Sequence, residues 1–157
     1  MEKPSHLDER GNVKMVDVSQ KQETERTAIA QAKVHMKPET LKAITEGFVK
    51  KGDVLTTAKI AGIMAAKKTS ELIPLCHNIN LSHVDVEFEP DQERGILTVR
   101  TTVKSVGKTG VEMEALLAAS IAALTVYDMC KSIDRGMVIE EICLLYKAGG
   151  KSGEWKR

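Results

Sequence analysis

The chain has 157 residues, of which 42% are hydrophobic and 29% are charged, and this composition predicts a single globular domain over residues 1–157. The net charge of +1 argues against a nucleic-acid-binding or membrane-binding surface, and one Trp, two Tyr and two Phe leave little material for stacking on bases. The three cysteines form no Cys-x-x-Cys pair, which argues against a disulfide framework or a structural zinc site.

The N-terminal segment is polar, and we expect residues 1–12 to form a flexible arm. It lacks the apolar core of a signal peptide, so a cytoplasmic location is expected. The apolar residues of 15–18 (MVDV) predict either a short strand or a docking segment.

The next elements are a strand and two helices. Residues 26–36 alternate between small apolar and polar side chains, a pattern that indicates a strand. Pro38 favours the first turn of a helix that runs to about residue 46. Asp53 is a good N-cap for a second helix over 54–67, whose many small residues would allow close approach of another backbone.

The second half of the chain predicts a hairpin, a long helix and a last strand. Apolar residues alternate with charged ones over 83–89, a turn follows at 91–95, and the return strand covers 97–103. Residues 137–147 predict a largely buried strand, and residues 148–157 a flexible tail. This mixture indicates an α+β fold with helices packed on an antiparallel sheet.

The long helix has no charge between residues 115 and 127, so it belongs in a protein core or at a subunit interface. Glu114 and Asp128 flank this stretch and lie ~21 Å apart along the axis, too far to serve one small site within one subunit. If both act in chemistry, two subunits meet at the site. The alternative, that both are solvated helix ends, stays open at this point.

Other local patterns are ambiguous. Neither the GKT of 107–109 nor the GKS of 150–152 has the glycine spacing of a P-loop. The glycines of 107–110 could open an anion-binding helix N-terminus or simply form a turn. His77 could be structural or functional, and the sequence has no second ligand at metal-binding spacing.

Seven motifs, taken together, resemble one family, the molybdenum cofactor biosynthesis protein C family of cyclic pyranopterin monophosphate synthases. The resemblance runs from about residue 5 to the C-terminus. The motifs are MVDV at 15–18, KGDVL at 51–55, AKIAG at 58–62, LIPLCH at 72–77, GKTGVEMEA at 107–115, YDMCK at 127–131 and GGKSG at 149–153.

This resemblance implies a ferredoxin-like fold and a homohexamer, a trimer of dimers with sites at the subunit interfaces. It implies conversion of (8S)-3′,8-cyclo-7,8-dihydroguanosine 5′-triphosphate into cyclic pyranopterin monophosphate with release of pyrophosphate. That reaction is an early step of molybdenum cofactor biosynthesis. It needs no protein-bound metal or cofactor, although Mg²⁺ could accompany the triphosphate.

The family's functional positions carry over to eleven residues of this chain. The catalytic set is Asp128, Lys131 and Lys51. The substrate-binding set is Leu75, Cys76, His77, Glu112, Met113, Glu114, Lys67 and Lys147.

One departure from the family pattern lies next to this set, since Asn78 stands where the family usually has proline. Two rival interpretations belong to other classes of protein. A non-catalytic nucleotide-sensing module on the same fold would bind ligand without acid–base groups at both ends of the helix. A structural oligomerisation protein would explain the apolar helix but not the motifs.

Overall fold

A computed structural model describes residues 4–157 of the chain. The predicted strands, helices and hairpin are confirmed, and a one-turn helix precedes Pro74 as an additional element. The elements in chain order are β1 (Thr24–His35), α1 (Pro38–Glu46), α2 (Val54–Lys67), α3 (Thr69–Leu72), β2 (His83–Asp91), β3 (Ile96–Gly107), α4 (Glu112–Cys130), β4 (Val138–Ala148) and β5 (Trp155–Lys156).

The five strands form one antiparallel sheet in the order β2-β3-β1-β4-β5. The central strand β1 pairs with β3 along its whole length, from Thr24 opposite Gly107 to His35 opposite Ile96. The four helices pack on the sheet, as the predicted α+β class requires. Because β1 is central, its residues fix where the core and the helices lie.

The core lies between β1, β3 and α4. Alternate β1 residues Ala28, Ala30, Ala32 and Val34 are fully buried, which matches the predicted strand period. Their small side chains leave room for α4, which packs between the sheet and α2. Helix α4 has the length and composition of a membrane-spanning helix, but nine of its residues are buried within the protein. The apolar character of α4 is therefore that of a core helix.

Helix α2 packs closely against α4 and runs antiparallel to it. A Cβ atom at Gly62 would lie 3.0 Å from the carbonyl oxygen of Ala118 and 3.3 Å from Cβ of Ala122, so this contact needs the small residues of α2. The segment before α2 therefore lies at the C-terminal end of α4, and the end of α2 lies toward the start of α4.

Two carboxylates fix the helix starts. Asp53 accepts hydrogen bonds from the backbone N–H and the hydroxyl of Thr56, which confirms it as the N-cap of α2. Helix α1 has no cap from its own N-cap residue, and the buried carboxylate of Asp134 instead accepts from the Lys37 N–H at 3.0 Å and the Thr40 hydroxyl at 2.9 Å.

Three segments differ from expectation. Residues 15–18 form no strand, and this extended segment instead lies over the loop that follows α3. Strand β4 was expected to be largely buried, but most of its side chains are half-buried or exposed because helices cover little of it within one chain. Within the tail, Trp155 pairs with Lys147, and the flexibility of 148–157 stays a prediction.

Candidate active site

A cavity of about 830 Å³ lies at the N-terminal end of α4. Three segments form its wall, namely the arm before β1, the loop after α3 and the turn that opens α4. Its lining includes His6, Val16, Lys21, Leu75, Cys76, His77, Thr109, Gly110, Glu112, Met113 and Glu114. Six of the eight residues predicted to bind substrate therefore share one cavity, although they come from two separate parts of the chain.

Two side chains hold the arm against the cavity through main-chain carbonyls of the arm. A ring nitrogen of His77, Nε2, is hydrogen-bonded to the carbonyl oxygen of Val16, and Lys108 Nζ lies 3.4 Å from the carbonyl oxygen of Ser19. Asp8 accepts from the N–H groups of Arg10 and Asn12 and so forms a tight turn within the arm. The mobility expected of residues 1–12 stays a prediction, and residues 1–3 lie outside the described chain.

Glu112 and Lys147 join the start of α4 to the end of β4. The Lys147 Nζ lies 2.7 Å from a Glu112 carboxylate oxygen, and both side chains are about 70% buried within one chain (30% and 27% exposed). The carboxylate of Glu112 also lies directly against Gly110, where an added Cβ would collide with it. The carboxylate of Glu112 therefore occupies space beside Gly110 that a side chain at this position would otherwise fill.

Glu114 is a buried acid of the cavity with a strongly shifted pKa. It is only 4% exposed, and its burial raises its pKa to about 7, against an ordinary value of 4.5. A hydrogen bond from its own backbone N–H opposes this shift, and the nearby charge of Glu112 adds to it. Burial, with a smaller contribution from Glu114, also raises the pKa of the Cys76 thiol. Glu114 can therefore both accept and donate a proton near neutral pH.

The three residues predicted to be catalytic form a second cluster at the other end of α4. Lys131 Nζ lies 3.0 Å from Asp128 Oδ1, and Lys51 Nζ lies 3.6 Å from Asp128 Oδ2. The side chain of Asp128 is 58% exposed, and the Lys131 hydrogen bond followed by the charge of Lys51 lowers its pKa. Asp128 is therefore a charged carboxylate between two ammonium groups, and the cluster is open to solvent.

The eleven predicted residues thus fall into two groups. The cavity group consists of Leu75, Cys76, His77, Glu112, Met113 and Glu114, with Lys147 joined to it through Glu112. The exposed group consists of Lys51, Asp128 and Lys131. Lys67 is exposed at the end of α2, and the antiparallel packing of α2 directs it toward the cavity end of α4.

Sequence reasoning missed residues of the arm. His6 and Lys21 line the cavity, whereas the arm was expected to be flexible over 1–12 and its only named feature was the apolar segment 15–18. The available signal was that His6 and Lys21 lie on either side of that apolar segment. Nothing local predicts that these two residues reach the cavity, because the contact between the arm and His77 is a tertiary one.

The fold and the two clusters define a class of protein. This is an α+β protein whose central helix has titratable groups at both ends, with a cavity of small-molecule size at one of them.

Comparison with known proteins gives the family. Residues 15–150 match the MoaC family model. A cyclic pyranopterin monophosphate synthase of Chloroflexus aurantiacus is 56% identical over 153 residues, which cover 98% of this chain and 94% of that protein. Proteins of the same name from Thermoanaerobacter sp. (strain X514) and Desulfatibacillum aliphaticivorans are 56% and 58% identical over 98% and 96% of this chain, and 97% and 95% of their own lengths. The chain belongs to the MoaC family.

Proposed function

We propose that this protein is a cyclic pyranopterin monophosphate synthase of molybdenum cofactor biosynthesis. Its substrate is (8S)-3′,8-cyclo-7,8-dihydroguanosine 5′-triphosphate, and its products are cyclic pyranopterin monophosphate and pyrophosphate. The support is the 56% identity to synthases over 98% of the chain, together with a cavity that contains a carboxyl group titrating near neutral pH. The protein acts as a soluble, cytoplasmic enzyme.

The proposed chemistry needs proton transfers in both directions, because the purine ring is opened and then rebuilt as a pterin. Glu114 suits this task, since a group with a pKa of about 7 is populated in both protonation states at neutral pH. Leu75, Cys76, His77 and Met113 form the wall that holds the ring system. The carboxylate of Glu112, fixed by Lys147, accepts hydrogen bonds from the substrate.

The exposed cluster supplies charge and further protons. Asp128 orients Lys131 and Lys51, and the two ammonium groups act on the substrate as proton donors or as stabilisers of negative charge. Departure of pyrophosphate develops charge that cations must stabilise, and Lys67 and Lys147 lie toward the cavity end of α4 for that role. Mg²⁺ bound to the triphosphate would also stabilise this negative charge, and it would need no metal site in the protein itself.

Both clusters serve one active site only if two subunits meet, since Glu114 and Asp128 are ~21 Å apart along α4. We therefore propose a homohexamer, a trimer of dimers, with the active sites at subunit interfaces. Exposed apolar side chains on the two packed helices support an interface, namely those of Ile60 (54% exposed), Met64 (50%) and Leu124 (54%).

The fold within each subunit is proposed to be ferredoxin-like. The elements follow a β-α-β-β-α-β order when the helices α1 to α3 are taken together, and β1 lies between β3 and β4. Strand β5 is an addition at the β4 edge.

Phosphorus NMR tests the function directly. The purified protein is incubated with the cyclised dihydro-GTP, and we expect the triphosphate signals to be replaced by those of free pyrophosphate and a cyclic phosphodiester. The Asp128→Asn variant is the control for contaminating activity. Substrate that binds but stays intact would contradict the proposal and identify a nucleotide-sensing module instead.

A further inference from the structure

One wall of the cavity is a single extended segment of the arm, residues 15–21, which we call the strap. Three of its side chains line the cavity, namely those of Val16, Val18 and Lys21. Val16 and Val18 are half-buried, and their neighbours along the strap are exposed. The strap therefore presents alternate apolar side chains to the cavity, and solvent covers much of the rest of it.

Open space borders the strap beyond the main cavity as well. A second cavity of about 310 Å³ lies next to the first, and Val18 and His77 line both of them. Within the part of the chain that the structure describes, neither Val16 nor Val18 belongs to the packed hydrophobic core. The strap is thus a wall between open spaces, and burial in the core does not fix its position.

Few hydrogen bonds attach the strap to the body of the protein. Within residues 4–157 there are two, one between His77 Nε2 and the Val16 carbonyl oxygen and one from Lys108 Nζ to the Ser19 carbonyl oxygen at 3.4 Å. The strap pairs with no strand of the sheet in this range. Segments with few buried apolar contacts and few hydrogen bonds open at a low cost in free energy, while the core stays folded.

The contact with the strap also fixes the protonation of the His77 ring. A carbonyl oxygen can only accept a hydrogen bond, so Nε2 of His77 carries the hydrogen that it donates to Val16. In the neutral imidazole the lone pair then lies on Nδ1. The strap in its closed position therefore selects one tautomer of a residue in the cavity wall, and this selection is lost when the strap detaches.

We propose that the strap is a movable wall of the active site, which opens to admit the nucleotide and closes over its ring system. Val16 and Val18 contact the bound ring, and the Val16 carbonyl orients His77. Lys108 is a positioning residue, since it holds the strap closed through the Ser19 carbonyl. The inference rests on the proposed function for the identity of the nucleotide.

Endoproteinase Lys-C tests the strap in the full-length protein, because Lys14 directly precedes the strap, Lys21 ends it, and both are exposed. Cleavage requires that several residues detach, so its rate follows the population of the open strap. Lys108→Met should speed cleavage at both sites about fivefold, since a hydrogen bond from a charged group is lost. Lys108→Arg keeps the charge and the donors and should stay within about twofold of wild type.

Lys104→Met is the matched control. Lys104 is exposed on β3, and its substitution removes the same charge and also one Lys-C site, as Lys108→Met does. Its rates of cleavage at Lys14 and Lys21 should equal those of wild type. The inference is overturned if Lys108→Met, with an unchanged melting temperature, is cleaved at the wild-type rate, or if Lys104→Met is accelerated equally.

A bound nucleotide provides the second measurement. Asp128→Asn should bind the cyclised dihydro-GTP without turnover, and saturation, verified by calorimetry, should slow cleavage at Lys21 at least about tenfold because the closed strap withholds the site. Unchanged cleavage in the saturated protein would overturn the inference. A cyclised nucleotide that does not bind contradicts the proposed function instead, and the Lys108 comparison, which needs no ligand, then decides whether the strap opens as proposed.

Discussion

Lys51 and Asp128 are 77 positions apart in the chain, yet the Lys51 Nζ donates to the main-chain carbonyl of Asp128 at 2.9 Å. The same ammonium lies 3.6 Å from the Asp128 carboxylate. The packing of α2 on α4 brings the turn before α2 to the last turn of α4. Lys51 thus interacts with one of the last carbonyls of α4, which carry the partial negative charge of the helix dipole.

The first prediction concerns the two lysines. We expect Lys51→Ala and Lys131→Ala each to abolish pyranopterin formation, with a loss of about 10²–10⁴-fold if a proton transfer is removed. Both side chains are about half exposed (43% and 52%), so the melting temperature and the oligomeric state should change little. Substrate turnover, thermal melting and light scattering check the three expectations, with triphosphate binding retained. Activity that falls only in parallel with binding would make these lysines phosphate-binding residues.

The second prediction follows from the raised pKa of Glu114. Below its ordinary pKa of 4.5 the carboxyl is protonated in both the folded and the unfolded chain. Between 4.5 and about 7 the unfolded chain ionises while the folded protein keeps the proton, so stability falls as the pH rises through this window. The glutamine of Glu114→Gln does not titrate, so this variant does not lose stability in that window. The melting temperature of the variant minus that of wild type should therefore increase from about pH 5 to pH 8.

A melting-temperature difference that is constant across this window would contradict the burial of an ionisable Glu114. Glu93→Gln is the matched control, since Glu93 is exposed in the β2–β3 turn and should show no such trend. Differential scanning calorimetry at several pH values provides the measurement.

The third prediction tests whether the two clusters meet across subunits. Glu114→Gln and Asp128→Asn should each be inactive alone, and mixing them under conditions of subunit exchange should restore part of the activity. The physical reason is the ~21 Å separation along α4, which requires each site to take one group from each subunit. Subunit exchange is verified with a fluorescent label on one variant. No recovery after verified exchange would indicate that both residues act within one chain or that the site lies elsewhere.

The fourth prediction concerns assembly. Multi-angle light scattering at micromolar concentration should find a stable homo-oligomer, with a hexamer as the expected mass. Exposed apolar side chains on α2 and α4 are the physical reason, since their burial between subunits is favourable. The double substitution Ile60→Asp with Leu124→Asp should dissociate the oligomer and remove activity together. A fully active monomer would contradict the shared site.

The fifth prediction concerns the buried carboxylate of Asp134. Burial opposes its charge, but hydrogen bonds from the Lys37 N–H, the Thr40 hydroxyl and the Gly136 N–H outweigh it and hold its pKa below the ordinary value. Asp134→Ala leaves these donors unsatisfied and should lower the free energy of unfolding by about 1–3 kcal/mol. Urea denaturation measures the change, and Glu93→Ala, at an exposed position, should stay within about 0.5 kcal/mol of wild type.

The lowered pKa of Asp134 also predicts how the stability of the protein changes at acidic pH. Because the folded pKa of Asp134 is depressed, its contribution is present above its unfolded pKa and is lost as the pH falls through its folded pKa. Wild type and Asp134→Ala should therefore converge in stability at acidic pH. A difference that persists unchanged there would mean that the carboxylate charge is not what stabilises the start of α1.

The sequence by itself determined the local elements. The alternation before residue 36, the N-cap at Asp53, the charged and apolar alternation of the β2–β3 hairpin and the uncharged run of α4 each reflect interactions within a few residues. Such short-range preferences act before any tertiary contact forms, so a pattern in the chain is enough to predict them. The motifs likewise indicated the family, which the comparisons then confirmed.

Only the tertiary structure decided which of these residues meet. The antiparallel packing of α2 on α4 brings Lys51 to Asp128, and the packing of α4 against β4 brings Glu112 to Lys147. These pairs are far apart in sequence, where no local preference acts. Tertiary packing also leaves β4 partly exposed. It places Val16 of the N-terminal arm against His77. The burial of Asp134 gave no local signal either, because burial depends on neighbouring elements that its own segment does not encode.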